Sequence, residues 1–156
     1  MSKKLDFYFD FASPAAYLAW TQIEQITVSK DYNLRIIPVL LGGVFNATGN
    51  RAPGEVEEKL KYMIHDLKRF ASKYNVKMFF NDNFPINTLA LMRGFIAAAK
   101  LDLDKDYMKC VYEAMWMNNI NLSDPSIVEK TLCEAGIEPN KIFEMIKKDE
   151  IKNELK

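Results

Sequence analysis

Apolar and polar side chains alternate along the first stretch of the chain, and the period then becomes helical. The alternation over residues 4–10 predicts a strand with Leu5, Phe7 and Phe9 on one face and Asp6, Tyr8 and Asp10 on the other. Residues 14–29 have the spacing of a helix, and the apolar, β-branched run over 35–41 predicts a second strand. Together they predict a βαβ unit with a right-handed crossover and parallel neighbouring strands.

The remainder of the chain is dominated by helical spacing. Turn-forming residues over 40–54 first predict a long loop that leaves the carboxyl end of the second strand. Apolar positions then predict five amphipathic helices, over 60–74, 89–99, 108–115, 127–132 and 142–146. We therefore divide the chain into a βαβ portion, 1–42, and a connecting loop with a helical domain, 43–156. Two strands alone leave unpaired edges, so further strands are expected from a continuation or from another copy.

Composition and charge exclude several classes of function. The 156 residues carry 21 basic and 21 acidic side chains with no basic run, which argues against nucleic acid and charged membranes as partners. The chain enters its first strand directly and has no apolar segment of membrane-spanning length, so we expect a cytoplasmic protein. Cys110 and Cys133 form no CxxC pair, no metal-ligand spacing occurs, and His65 lies beside the apolar stripe of its helix. We predict no metal site.

Ser13 is the leading candidate for chemistry, because it stands between a strand and a Ser-Pro helix start. Unpaired N–H groups and the helix dipole favour an anion there, such as a thiolate, a phosphate or a carboxylate. The alternative is structural, since Ser is a preferred N-cap and Pro14 suits the first helical position. These residues alone favour the cap. The loop over 40–54 leaves the strand edge where open α/β sheets bind ligands, so Asn50 and Lys59 are further candidates for the same ligand.

Four motifs together resemble a known family. They are FDFASPAAYLA at 9–19, PVLLGGVFNATGN at 38–50, KLKYMIHDLKRFA at 59–71 and FPINTLALMRG at 84–94. With them the chain resembles the 2-hydroxychromene-2-carboxylate isomerase and kappa-class glutathione transferase family, within the DsbA-like thioredoxin-fold group. The resemblance implies an α/β fold, with a thioredoxin-like βαβ half, a large all-helical insertion, and the family's usual C-terminal ββα part absent.

The resemblance also implies a glutathione site. Ser13 matches the serine whose hydroxyl holds the glutathione sulfur as a thiolate, and Asn50 and Lys59 match glutathione contacts. Phe45, Asn87 and Thr88 fall in motifs nearer the acceptor pocket. The implied reaction is thiolate addition to an unsaturated aromatic pyruvate, bond rotation and elimination, or transfer of glutathione to an electrophilic substrate.

Two alternatives stay open beside this interpretation. Without the family's C-terminal segment, the chain is either a homodimer that completes its sheet or a catalytically incomplete domain limited to binding and interaction. A third interpretation, dithiol exchange, needs a CxxC at the helix start. This chain has Ser13-Pro14-Ala15-Ala16 there and so lacks the thiols that the exchange uses. Tyr17 and Trp116 fall on apolar helix faces and are predicted to be core residues.

Overall fold

The opening βαβ unit is confirmed in the computed structural model, which describes residues 3–155. Strand β1 (Lys3–Phe9) leads into helix α1 (Pro14–Ser29) and then into strand β2 (Tyr32–Pro38). The two strands pair in parallel, in a register that runs from Lys3 beside Tyr32 to Phe9 beside Pro38. They are the only two strands of the sheet within residues 3–155.

Both strands differ from their predicted bounds at each end. β1 stops at Phe9, so Asp10 is not part of its polar face but the first residue of a tight turn. β2 covers Tyr32–Pro38 rather than 35–41. Just after it, the Val39 N–H donates a hydrogen bond to the Phe9 carbonyl at 2.9 Å. The apolar run misled the prediction because Leu41 begins a helix and does not continue the sheet.

The predicted loop over 40–54 is wrong, because most of it is helical. Helix α2 (Leu41–Thr48) follows β2 almost at once, and a 3₁₀ turn (Pro53–Glu55) precedes the next helix. Gly49 ends α2 in the left-handed conformation, with φ of 67°, a region that glycine adopts without strain. Gly42 and Gly43 indicated a turn, but a hydrogen bond from the Leu41 N–H to the distant Asp10 carboxylate stabilises the helix start.

The five predicted amphipathic helices are confirmed and one more is found. They are α3 (Glu57–Tyr74), α4 (Leu89–Ala99), α5 (Asp104–Tyr112), α6 (Pro125–Glu134), α7 (Pro139–Met145) and the additional α8 (Asp149–Glu154). A π-helical turn (Glu113–Met117) continues α5. Helix α8 was missed because a six-residue helix with Ile151 as its buried residue carries too little periodic signal. The division predicted at residue 42 falls inside α2 and stays a prediction.

Aromatic side chains form the core that carries the site. Phe9, Phe11, Tyr17, Tyr112 and Trp116 are each at most 2% exposed, which confirms the prediction for Tyr17 and Trp116. The Trp116 indole N–H donates to the Phe11 carbonyl at 2.8 Å, and the Phe11 N–H approaches the Met92 sulfur at 3.4 Å. The turn between β1 and α1 is therefore held to the helical part of the molecule from below.

Two features are absent from the part of the chain that the structure describes. No helix within residues 3–155 combines the length and the apolar character needed to cross a membrane. Nor do three or more His, Cys, Asp or Glu side chains cluster there in a way that would hold a metal ion.

Candidate functional site

Ser13 is the N-cap of α1, as the structural alternative predicted. Its backbone is extended, with φ of −92° and ψ of 108°, and its Oγ accepts a hydrogen bond from the Ala16 N–H at 3.1 Å. Pro14 fills the first helical position, where no N–H is needed. A hydroxyl that accepts one bond still carries its own proton, so Ser13 can cap the helix and also donate to an anion. The two interpretations are compatible.

Asp10 organises the surroundings of Ser13, and sequence reasoning missed it. The side chain is 3% exposed, although the alternation had placed it on the polar face of a strand. Its carboxylate accepts hydrogen bonds from the Thr88 hydroxyl at 2.6 Å, from the Leu41 N–H at 2.8 Å and from the Ala12 N–H at 2.9 Å. Its backbone carbonyl accepts from the Ser13 N–H, also at 2.9 Å.

These bonds join three segments that are distant in sequence. Asp10 immediately follows β1, Leu41 begins α2 and Thr88 immediately precedes α4. Because Leu40 has no side-chain oxygen to cap α2, the Asp10 carboxylate satisfies one of its unpaired N–H groups from another part of the chain. A sequence signal did exist, because an Asp just ahead of a Ser-Pro helix start is typical of an Asx turn. In such a turn the Asp side chain accepts from the backbone two residues on, as Asp10 does from Ala12.

Tyr112 lies close to this network as a neutral group. Its ring packs against Phe9, Phe11, Tyr17 and Trp20, with centroids between 4.9 and 6.1 Å apart. Its buried hydroxyl has no hydrogen-bond partner among residues 3–155. Burial, and secondarily the charge of Asp10, raise the pKa of Tyr112 well above its usual range. The side chains packed around Tyr112 are therefore aromatic and uncharged.

The candidate glutathione residues Asn50 and Lys59 are both exposed, on segments that follow α2. Asn50 comes directly after Gly49, and its amide oxygen accepts from the Arg51 N–H at 2.8 Å, which leaves the amide NH₂ free to donate. Lys59, in the first turn of α3, forms no ion pair with any residue in 3–155. Within the same range, no hydrogen bond connects either residue to Ser13, so their common use by one ligand stays a prediction.

The three residues predicted near the acceptor pocket have different surroundings. Phe45 is half-buried on α2. Thr88 is 3% exposed and its hydroxyl is occupied by Asp10, so it positions the network instead of presenting a free group. Asn87 is exposed, accepts from the Leu89 N–H at 3.0 Å, and lines two neighbouring cavities of about 490 and 310 Å³ beside α4. Of the three, only Asn87 lines either of these two cavities.

The other titratable candidates are His65 and the two cysteines. His65 is exposed on α3, as its position beside the apolar stripe predicted. Cys110 and Cys133 are free thiols, and burial raises the pKa of the half-buried Cys110 thiol to about 11. Neither cysteine lies at the start of α1, where dithiol exchange would need one.

Comparisons with known proteins agree with this architecture. A family model described as the DSBA-like thioredoxin domain matches residues 4–156. The 2-hydroxychromene-2-carboxylate isomerase of Sphingobium xenophagum is 28% identical over 152 residues, which cover 94% of this chain and 75% of the relative. Glutathione S-transferase kappa 1 of Homo sapiens is 24% identical over an alignment of 167 residues including gaps, which covers all of this chain and 74% of the relative.

A solved structure supports the fold independently. The structure of a selenomethionine 2-hydroxychromene-2-carboxylate isomerase superposes with a TM-score of 0.82 at 24% identity. The match covers 96% of this chain and 74% of that one. The chain thus spans about three quarters of the length of these relatives.

Proposed function

Since the chain belongs to the family of DSBA-like thioredoxin domains, we propose that it uses glutathione at Ser13 as an isomerase or transferase. The relatives named above are an isomerase and a glutathione S-transferase, which supports an enzyme of this kind. The observation that carries the proposal is the hydroxyl of Ser13. It stands at the amino end of a sixteen-residue helix, accepts from Ala16, and keeps its proton for an anion.

The chemistry of the donor set fits a thiolate. Hydroxyl donation and the positive end of the α1 dipole both stabilise a negatively charged sulfur relative to the neutral thiol, and so lower its pKa. The Asp10 carboxylate already accepts three hydrogen bonds, from the turn, from the start of α2 and from the residue before α4, which stabilise its negative charge. When bound, glutathione supplies a nucleophilic sulfur that can add to an electrophilic carbon and leave again.

We assign the recognition of the remainder of glutathione to Asn50 and Lys59. The unpaired Lys59 ammonium can attract a carboxylate of the tripeptide, and the free amide NH₂ of Asn50 can donate to a peptide carbonyl. Ser13 then holds the sulfur, while Asp10 and Thr88 hold Ser13 in place through the turn. Each group has a different role in binding or orientation.

The acceptor in this proposal is an electrophilic, preferably aromatic, small molecule such as an unsaturated aromatic pyruvate. Phe45 and Asn87 are the side chains we assign to its pocket, and Thr88 acts on it indirectly through Asp10. For an isomerase, the C–S bond that forms must break again after rotation, so glutathione is recovered unchanged. A homodimer remains part of the proposal, because both outer edges of the β1–β2 pair lack a partner strand within residues 3–155.

The test is a calorimetric titration with reduced glutathione, combined with the ultraviolet absorbance of the bound thiolate as pH is varied. We expect saturable binding and a bound thiol pKa below that of free glutathione. Ser13→Ala and Ser13→Gly both remove the hydroxyl, but Gly preserves most of the N-cap stability. If the hydroxyl stabilises the thiolate, both variants raise the bound thiol pKa by about 1–2 units, the effect of losing one charged hydrogen bond.

Lysine variants give a matched control for recognition. Lys59→Met should weaken glutathione binding, whereas Lys68→Met, at another exposed position of α3, should leave it unchanged. Binding with a lowered thiol pKa but no turnover of aromatic pyruvates or electrophiles would favour the binding-domain alternative. No binding up to about 10 mM glutathione, a concentration that detects even weak sites, would reject the proposal.

A further inference from the structure

Two adjoining cavities lie beside α4. Both are lined by Asn87, Ala90, Ser123, Ile146 and Lys147, so they adjoin one another. None of Ser13, Phe45, Asn50, Lys59 or Thr88 lines either of them. We call the 310 Å³ space the inner cavity and the 490 Å³ space the outer cavity.

The inner cavity is mostly apolar, and Asn87, Ser123 and Lys147 line it where it adjoins the outer cavity. Its walls include Leu91, Leu122, Val128, Ile142 and Phe143, contributed by α4, by α6 and the segment before it, and by α7. The one hydroxyl of an aromatic residue there, that of Tyr107, donates to the Leu91 carbonyl at 3.1 Å. A volume of this size holds a single ring or a short alkyl chain without requiring new hydrogen bonds from it.

The outer cavity is cationic. Arg93, Lys147 and Lys152 line it, and no acidic residue does. Lys152 is paired with Asp149 at 2.8 Å, but Arg93 and Lys147 form no ion pair with any residue from 3 to 155. The Arg93 Nε is buried and has no hydrogen-bond partner in that range. An anion in the outer cavity would pair with the part of the Arg93 guanidinium that lines it, which has no ion-pair partner in that range.

We propose that the paired cavity binds a small amphipathic carboxylate, separately from the glutathione site. The apolar body would fill the inner cavity, and the carboxylate would accept from the Arg93 guanidinium with Lys147 beside it. Charge and polarity are matched at both ends, since arginine is suited to bidentate carboxylate contacts and the inner walls are mostly hydrocarbon. The assignment goes beyond the proposed function and does not depend on it.

Binding of 3-phenylpropionate and of octanoate, measured by calorimetry, tests the proposal and distinguishes an aryl from an alkyl body. Methyl chemical shifts of Val128 and Ile142 report whether the body enters the inner cavity. We expect saturable binding of at least one of the two acids. The neutral 3-phenylpropanamide, and propionate with almost no apolar body, should each bind about tenfold more weakly or worse. Equal affinity for the amide or for propionate would overturn the assignment.

Variants separate the two ends of the ligand. Arg93→Met should weaken binding about tenfold, and Lys147→Met, at an exposed position that tolerates change, should weaken it as well. Lys148→Met is the matched control that should have no effect. Ala90→Phe should block the cavities, whereas Ala99→Phe, also exposed on α4, should not.

The two proposals fail independently. Ser13→Ala should bind 3-phenylpropionate normally, because Ser13 does not line the cavities. Unchanged affinity in both Arg93→Met and Lys147→Met, or no carboxylate binding up to about 10 mM, would reject the carboxylate site whatever glutathione does.

Discussion

At the scale of single residues, burial decides which side chains can react. Ser13 is half-buried at a helix start and keeps a proton to donate, whereas the Tyr112 hydroxyl is enclosed and stays neutral. The two cysteines show the same contrast. Cys133 is exposed, but Cys110 is half-buried, and burial with the charges of Glu113 and Glu134 raises its thiol pKa to about 11.

Cys110 should therefore resist thiol reagents at mildly alkaline pH. A raised thiol pKa keeps the neutral form up to about pH 11, so at pH 8 only about one Cys110 in a thousand is a thiolate. Alkylation by iodoacetamide, followed by mass spectrometry in Cys133→Ser and Cys110→Ser variants, should show Cys110 at least about 100-fold slower. Its rate should rise nearly tenfold per pH unit up to about pH 11, and unfolding in urea should abolish the difference. Equal rates in the folded protein would contradict this expectation.

At the scale of elements, α4 is the central helix, and its composition follows from close packing. Almost every residue from Leu91 to Ala98 is buried, and Gly94 faces the ring of Tyr107 on α5. A Cβ built on Gly94 would meet the Tyr107 hydroxyl and lie 2.7 Å from its Cζ, closer than real contacts allow. Glycine is required here by the approach of a neighbouring helix and not by backbone conformation.

Gly94→Ala should consequently destabilise the protein by about 1–3 kcal/mol, the usual cost of overpacking a core. Tyr107→Phe removes the atom nearest to the new methyl group but also the hydrogen bond to Leu91. The double variant should therefore be more stable than the sum of the two single changes predicts. Urea unfolding of all four proteins measures this coupling. Strict additivity would show that the α4–α5 contact relaxes without strain.

At the scale of the whole molecule, Asp10 connects the βαβ unit to the helical remainder. One buried carboxylate ties the end of β1 to the start of α2 and to the segment before α4. The Trp116 and Met92 contacts with Phe11 reinforce the same turn from the core side. The position of Ser13 is thus determined by residues from four separate parts of the chain.

Asp10→Ala should cost about 3 kcal/mol of stability, because it leaves the Thr88 hydroxyl and two backbone N–H groups unsatisfied. Thr88→Val should cost about 1–2 kcal/mol, and the pair should be non-additive. Amide hydrogen exchange at Leu41 and Ala12 should accelerate in Asp10→Ala but not in Asp6→Ala, whose carboxylate pairs with Arg35 on the exposed face. Similar exchange in the two variants would show that Asp10 is not the connecting residue.

Local pattern was sufficient where neighbouring residues decide the structure. The helix over residues 14–29 was predicted with its observed bounds, because a Ser-Pro start and a 3.6-residue period are both local signals. The loop predicted over 40–54 failed for the opposite reason. Helix α2 contains two glycines and has no capping side chain of its own, so its start depends on a carboxylate 31 residues away.

The sequence by itself determined the βαβ opening, the helical remainder and the candidate serine, since periodicity, strand alternation and N-cap chemistry act within a few residues. Its motifs also indicated the family. Only the tertiary structure decided that Asp10 is buried and organises the site, and that the Thr88 hydroxyl donates to it. It also decided that Arg93 lines a cavity and that its Nε has no hydrogen-bond partner among residues 3–155. The physical reason is that burial and hydrogen-bond partnership are properties of segments brought together, and no local pattern contains them.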